Sequence, residues 1–297
     1  MSAAYLERLA ARARTVGSVL CLGLDPDPTT LPTGFASNVD GIEAFARVVL
    51  DAALPYAAAV KPNLAFFEAF GSAGIASLER IRATIPADVP VVIDAKRADI
   101  GTTAARQAVA LFDGLGADAI TVNPYLGREA IEPLLDRADR FAYVLCRTSN
   151  PGAGELQSLV VAEDDALRAP SEPLWARVAR RVAAWGAPTV GLVVGATAPD
   201  ELVAIRALAP GLAFLVPGVG AQGGDVATVI ERGPAADPPA GGRAGGGLLV
   251  NISRGISTAA NEPNRLGATA RAGGFEGLEE RLAAAAADWS ARLPVLP

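Results

Sequence analysis

The sequence predicts an α/β fold: a single (β/α)8 barrel spanning residues 1–297, with one extra helix before its first strand. Three observations carry that expectation. Eight apolar, β-branched runs of strand length alternate with helical patterns, as strands buried on both faces of a parallel sheet do. No stretch between them reads as a domain linker, and 297 residues suit a barrel, whose usual size is about 250 residues. Most runs also end in polar residues: Asp25, Lys61, Asp94 with Lys96, Asn123, Thr148 with Ser149, Gln222 and Arg254. An open doubly wound sheet would spread these along one edge, whereas closure brings them to one mouth.

In order, Ala3 to Thr15 is an amphipathic helix, and Val19 to Leu24 is an apolar strand ending in Asp25-Pro26. Ile42, Phe45, Val48 and Val49 have helical spacing in the stretch Ile42 to Leu54. Ala57 to Val60 is a short strand ending in Lys61-Pro62-Asn63. Helices over Leu64–Phe70 and Ile75–Thr84 lead to the third strand, Pro90–Ile93, and a further helix covers Ala104–Phe112. Ala117–Val122 and Phe141–Cys146 are the fourth and fifth strands. The long irregular stretch Gly152–Ser171 leaves the fifth strand's C-terminal end, where a lid over the site would start. A helix from about Pro173 to Trp185 begins with the proline that a first turn tolerates. Strands Thr189–Val194, Leu212–Val216 and Leu248–Ile252 follow, with helices over Asp200–Leu208, Val226–Glu231 and Leu278–Ala291. The Gly-, Pro- and Ala-rich segment Gly233–Gly247 lies between a helix and a strand, hence on the face opposite the polar strand ends. It reads as a flexible insertion without function.

Composition removes whole classes of chemistry. The chain has no histidine, which excludes Ser-His-Asp and Cys-His catalysis and any His-containing metal site. A net charge of −6 without a clustered basic run argues against a nucleic-acid surface, although a local positive cleft can still take a small anion. Cys21 and Cys146 lie in apolar strand runs and read as buried thiols of a reducing compartment. The N-terminal residues lack the apolar core of a signal peptide. The charge-poor windows 182–199 and 207–224 are broken by Gly and Pro, so neither reads as a membrane span and a cytoplasmic protein is expected.

The chemistry gathers around the third strand. Its period of two puts Asp94 and Lys96 on one side with Val92 below them, and Asp99 follows in a loop. Such charges at the mouth of a buried strand are costly unless paired, so they form either a strand-end salt bridge or a preorganised charge array. Asp25 and Lys61 end neighbouring strands; they either pair with each other or hold sugar hydroxyls and extend the array to Lys61–Asp94–Lys96–Asp99. An ammonium between carboxylates stays protonated, which suits Lys96 to proton donation and not to the neutral-amine attack of a Schiff-base aldolase. The loop Gly218-Val219-Gly220-Ala221-Gln222-Gly223-Gly224 and the turn Ser253-Arg254-Gly255 together suggest a phosphate site at the corner after strands seven and eight. There Arg254 can pair bidentately with phosphate oxygens and Gln222 can donate an amide proton.

The run Asp94-Ala95-Lys96-Arg97-Ala98-Asp99-Ile100-Gly101-Thr102-Thr103 matches the D-x-K-x-x-D-I-x-x-T signature of the orotidine 5′-phosphate decarboxylases. Leu24-Asp25-Pro26, Lys61-Pro62-Asn63, Asn123-Pro124-Tyr125, Thr148-Ser149-Asn150-Pro151, Pro217 to Gln222 and Ser253-Arg254-Gly255 extend the likeness over most of the chain, which resembles the longer bacterial branch of that family. The resemblance implies a homodimeric barrel with a nucleotide substrate, needing neither metal nor organic cofactor, that converts orotidine 5′-monophosphate to UMP in the last step of pyrimidine synthesis. It makes Lys96 the group that protonates C6 of the pyrimidine, sets Asp94 against the departing carboxylate, and has Lys61 hold Asp94 and a ribose hydroxyl. Asp25 would bind the ribose, and Asp99 and Thr103 would cross the dimer interface into the partner's site. Thr103 can also be read as a helix N-cap. Asn123 counts among the substrate-binding residues, and Gln222, Arg254 and Gly255 would grip the phosphate. Either Ser149 or Thr148 would read the pyrimidine, with Ser149 preferred.

Three other readings compete. A related decarboxylase family shares D-x-K-x-x-D and works through a magnesium-bound enediolate, but carries an acidic residue where Lys61 stands. A Schiff-base aldolase would use Lys96 as a neutral amine. A non-catalytic phosphate-binding barrel would leave the substrate's ultraviolet band unchanged.

Overall fold

The structure is a computed structural model that describes residues 4–166, 170–220, 222–262 and 277–296. Its eight barrel strands are β1 Leu20–Leu24, β2 Ala59–Pro62, β3 Val92–Arg97, β4 Ala119–Val122, β5 Phe141–Arg147, β6 Val190–Val194, β7 Ala213–Val216 and β8 Leu249–Ile252. All pair in parallel in the order β2-β1-β8-β7-β6-β5-β4-β3. Parallel bridges Val60–Val91 and Asn63–Asp94 join β2 to β3 and close the ring. The closed sheet has no edge left to cover. Observed strand ends lie within a few residues of the expected ones, the largest difference being β3, which runs on through the charged residues to Arg97.

Alternation along the strands sorts the core into two layers. Outward residues such as Leu22, Ile93, Ile120, Val144, Leu192 and Val250 pack under the helices. Inward residues Cys21, Ala59, Val92, Ala119, Phe141, Tyr143, Val193, Ala213, Leu215 and Leu249 fill the barrel itself. The N-terminal helix Tyr5–Val16 plugs the lower end of that interior, and Gly17 in left-handed conformation stops it. The Tyr5 ring stacks on Phe141 at 4.9 Å, and its hydroxyl hydrogen-bonds the Tyr143 hydroxyl at 3.1 Å. Small residues on β2, β4 and β7 leave room for those three rings.

The segment Gly233–Gly247 lies on this lower face as expected, but it is not a loose insertion. Ala235 and Ala240 belong to the inner core cluster, and Gly245, Gly246 and Gly247 are buried with φ of 73°, 52° and 67°. A Cβ on Gly247 would come within 2.8 Å of Ala213 Cβ, so the run needs glycine both for its handedness and for its approach to β7. Arg206 ties the segment down: its guanidinium sits 3.5 Å from the Phe214 ring centroid and donates to the carbonyls of Leu212 and Gly233.

The stretch after β5 is likewise more ordered than its composition suggests. A short helix, Gly154–Gln157, is followed by a two-residue antiparallel ribbon, Val160–Val161 with Glu172–Pro173. Glu172 accepts from Arg177 at 3.0 Å and Arg180 at 2.8 Å, and Asp164 pairs with Arg177 at 3.5 Å and with Arg181, so the segment docks on the helix Leu174–Ala184. Residues 167–169 of the expected lid lie outside the described residues. Among the described residues no helix is long and apolar enough to cross a membrane.

Candidate active site

Inward positions of successive strands build the mouth one step above the apolar filling. Lys61 stands above Ala59, Asp94 above Val92, Thr121 above Ala119 and Asn251 above Leu249. Lys61 Nζ donates to Asp94 Oδ2 at 2.7 Å, and Lys96 Nζ donates to Asp94 Oδ1 at 2.6 Å. Thr121 Oγ1 donates to the same Oδ1 at 2.8 Å and accepts from the Lys96 backbone N–H at 2.9 Å. One carboxylate is thus fixed by donors from three adjacent strands.

Lys96 has a φ of 47°, the one non-glycine residue at positive φ among the described residues. The β3–β4 register shifts between Ile93 and Arg97, so β3 bulges where the charges sit. A lysine in left-handed conformation costs on the order of 1 kcal/mol. The bulge re-aims its ammonium over Asp94, which is the kind of local strain found at functional sites.

The charges differ in exposure. The Lys61 side chain is 5% exposed and that of Asp94 12%, whereas that of Lys96 is 50% exposed and faces the opening. Burial pushes the Asp94 carboxyl up, but the Lys61 and Lys96 ammonium groups outweigh it and hold the carboxyl well below the usual carboxylate range. Burial pulls Lys61 down, and Asp94 and Asp25 more than compensate, raising it above the ordinary lysine value. Both groups are therefore charged at neutral pH.

Two adjoining cavities open over this array and share Lys61, Asp94, Ser149 and Pro217. The first, of about 640 Å3, is polar, with Asp25, Asn63, Gln222, Asn251, Ser253, Arg254 and Gly255 around it. The second, of about 620 Å3, has Lys96, Thr121, Thr148 and Asn150 above a floor of Leu145, Val193 and Leu215. Asp25 Oδ1 and Asn251 Oδ1 are buried acceptors in the first cavity without a hydrogen-bond partner among the described residues. Among the described residues the Arg254 guanidinium pairs with no carboxylate. One chamber thus offers a free cation and free acceptors, the other an apolar floor beneath charges. That arrangement suits a sugar phosphate joined to a flat ring.

Residues 18–268 match the family described as Orotidine 5′-phosphate decarboxylase / HUMPS family. The chain belongs to that family. It is 49% identical to the orotidine 5′-phosphate decarboxylase of Halorubrum lacusprofundi over 264 residues, 88% of this chain and 90% of that protein. To the enzyme of the same name from Thermomicrobium roseum it is 46% identical over 255 residues, 85% of this chain and 86% of that one. Among solved structures it resembles the OMP decarboxylase of Leishmania donovani with a TM-score of 0.77 and 35% identity, covering 97% of each chain.

Within this family likeness the expected site residues divide. Asp25, Lys61, Asp94, Lys96, Ser149, Gln222, Arg254 and Gly255 all line the two cavities, while Ala221 of the glycine loop lies outside the described residues. Thr148 and Ser149 part company. The Thr148 hydroxyl donates to Asn150 Oδ1 at 2.6 Å and accepts from Gln157 Nε2 at 2.8 Å. Among the described residues Ser149 makes no such side-chain bonds; it packs against Gly218, where a Cβ would lie 2.7 Å from its own.

Asn123 does not join the lining. It is exposed, and its Oδ1 accepts from Tyr125 N at 3.0 Å, capping the turn Pro124–Leu126. Asp99 and Thr103 also line neither of these two cavities. Asp99 Oδ1 accepts from Ile100 N at 2.8 Å, so within one chain the alternating row is Lys61–Asp94–Lys96 and stops there. Thr103 does not cap its helix: that helix, Gly101–Ala108, begins after Ile100 and has no side-chain cap.

Thr121 and Asn251 line the site without having been singled out from sequence, and Ser253 and Asn63, named there only as parts of motifs, line it too. A lone polar residue at an inward position of an apolar strand was the available signal for Thr121 and Asn251. Asn63 also caps the helix Leu64–Glu68.

Proposed function

We propose that this chain decarboxylates orotidine 5′-monophosphate to UMP and carbon dioxide, without metal or organic cofactor, in pyrimidine biosynthesis. The observation that carries the reading is Asp94 clamped between the Lys61 and Lys96 ammonium groups at the barrel mouth. Breaking the bond from C6 to the carboxylate leaves an electron pair on C6 with no conjugated sink. The Lys96 ammonium stabilises that charge as it develops, then gives C6 its proton and is left as a neutral amine. Because the clamp is preformed, little reorganisation is needed at the moment of reaction. Asp94 lies against the departing carboxylate, and Lys61 keeps Asp94 ionised and oriented.

The rest of the cavity supports substrate placement. Asp25, with a buried acceptor free, takes a ribose hydroxyl, and Lys61 a second contact to the sugar. Ser149, at the junction of both chambers, reads the pyrimidine over the floor of Leu145, Val193 and Leu215. Gln222, Arg254 and Gly255 grip the phosphate, whose binding energy offsets the cost of expelling water from the ring site. Asp99 and Thr103 complete the partner's site in a homodimer. Exposed Ile100, Val109, Tyr125 and Leu126, on the segments that carry or neighbour them, support an apolar contact there.

The magnesium-enediolate reading fits less well, because Lys61 stands where it needs an acidic ligand and is itself salt-bridged to Asp94. A Schiff base at Lys96 would require a neutral amine beside an ionised carboxylate at 2.6 Å. The test is ultraviolet absorbance of orotidine 5′-monophosphate mixed with the wild-type chain and with Lys96→Ala. Loss of the substrate band with wild type and a drop of at least about a hundredfold with the variant are expected. An unchanged band with the wild-type chain would sink the proposal.

A further inference from the structure

Both halves of the phosphate corner rest on one side chain that belongs to neither sequence motif. Trp289, on the helix Leu278–Arg292, is 6% exposed. Its Nε1–H donates to the Gly255 carbonyl at 3.2 Å, and a Cβ on Gly255 would come within 2.8 Å of that nitrogen. A Cβ on Gly220 would meet the adjoining edge of the six-membered ring, 3.0 Å from Cζ2. The loop after β7 therefore touches the six-membered ring while the turn after β8 bonds the pyrrole nitrogen. The Arg292 guanidinium lies over the same ring, 3.9 Å from its centroid.

We propose that Trp289 is a positioning residue for phosphate binding: it sets the spacing between the loop after β7, at Gly220, and the Ser253–Gly255 turn. The inference rests on the assignment of that corner to the phosphate. An indole has two rotatable bonds, so a packed one is a rigid spacer, and a preordered pair of loops loses less entropy when the anion binds. Glycine at 220 and 255 is what allows this close seating, since any side chain at either position would collide with the ring. A buried tryptophan N–H needs an acceptor wherever it lies. Here the acceptor is the backbone of the residue next to Arg254, so moving the ring moves the cation.

The experiment compares wild type, Trp289→Phe, Trp289→Leu, Leu282→Ala and Arg254→Ala as full-length chains. It measures kcat and KM for orotidine 5′-monophosphate, the competitive inhibition constant of inorganic phosphate, and Tm. Phe keeps a ring against Gly220 but loses the N–H. It should raise KM and the phosphate inhibition constant together by about fivefold with kcat within about twofold, the scale of one hydrogen bond. Leu loses both contacts and should raise them further. Leu282 is fully buried on the same helix, and its truncation should lower Tm without moving the phosphate constant. If both Trp289 variants lower Tm and leave the phosphate constant unchanged, as Leu282→Ala does, the indole is core packing and the proposal fails. Should Arg254→Ala also leave that constant unchanged, the phosphate assignment itself is wrong, and the role of Trp289 falls with it.

Discussion

Removing the Asp94 carboxylate tests whether the charged array is there for chemistry or for stability. In Asp94→Ala the Lys61 ammonium, 5% exposed at its side chain, loses its 2.7 Å partner and stays buried. Breaking a buried ion pair from one side costs about 3–5 kcal/mol, because the stranded charge keeps its desolvation penalty. Asp25 still faces Lys61 and supports its charge, so the lower end of about 3 kcal/mol is expected. In a chain of this size that is a fall in Tm of roughly 6 °C.

The loss must also depend on pH. In the wild type Lys61 is raised above its ordinary value, so its contribution is fully present below that value and is lost as pH rises through the folded one. Asp94 is depressed, so its contribution is present above the ordinary carboxyl range and is lost only as pH falls through its lower folded value. Without Asp94, burial pulls Lys61 down, and the variant regains stability relative to wild type as pH rises from neutral into the alkaline range. Thermal denaturation at pH 7 and about pH 9.5 should show that narrowing gap. The double variant Lys61→Met/Asp94→Leu should recover most of the lost stability while having no activity, since apolar pairs often replace buried ion pairs at no cost. A single variant as stable as wild type, or a deficit that does not change with pH, would refute this account of the clamp.

Arg254→Ala should lower kcat/KM by about two to three orders of magnitude, the worth of a bidentate charged contact, while Tm barely moves because no ion pair among the described residues is lost; steady-state kinetics and a melting curve decide it. Thr121→Val removes one donor from Asp94 and the acceptor of the Lys96 N–H; kcat should drop about tenfold and Thr121→Ser should restore most of it. Asp99→Ala and Lys96→Ala should each be inactive alone, yet mixing the two after subunit exchange should regain activity, since one hybrid site is then intact; no recovery would count against a shared site.

Much of the barrel was legible because burial on both faces leaves a strong mark: eight β-branched runs, most of them ending in polar residues, require a parallel sheet, and convergence of those residues requires closure. The Asp94–Lys96 pair and its link to Lys61 were equally visible, since period two along β3 and parallel pairing with β2 leave few other places for three charges. What sequence could not supply was which partner each polar side chain takes. The capping turn that takes Asn123 away from the mouth, the Gln157 amide that occupies Thr148 and leaves Ser149 free, and the inward turn of Thr121 all depend on local backbone geometry. The glycine-rich segment 233–247 looked loose because glycine reads as flexibility, yet here positive φ and absent Cβ atoms allow close packing under the barrel. The amino-acid order by itself determined which residues are apolar, charged and periodic, and hence the barrel and its charged third strand. Only the tertiary structure decided which polar groups already have partners, because that depends on donors and acceptors, near or far along the chain, meeting within about 3 Å.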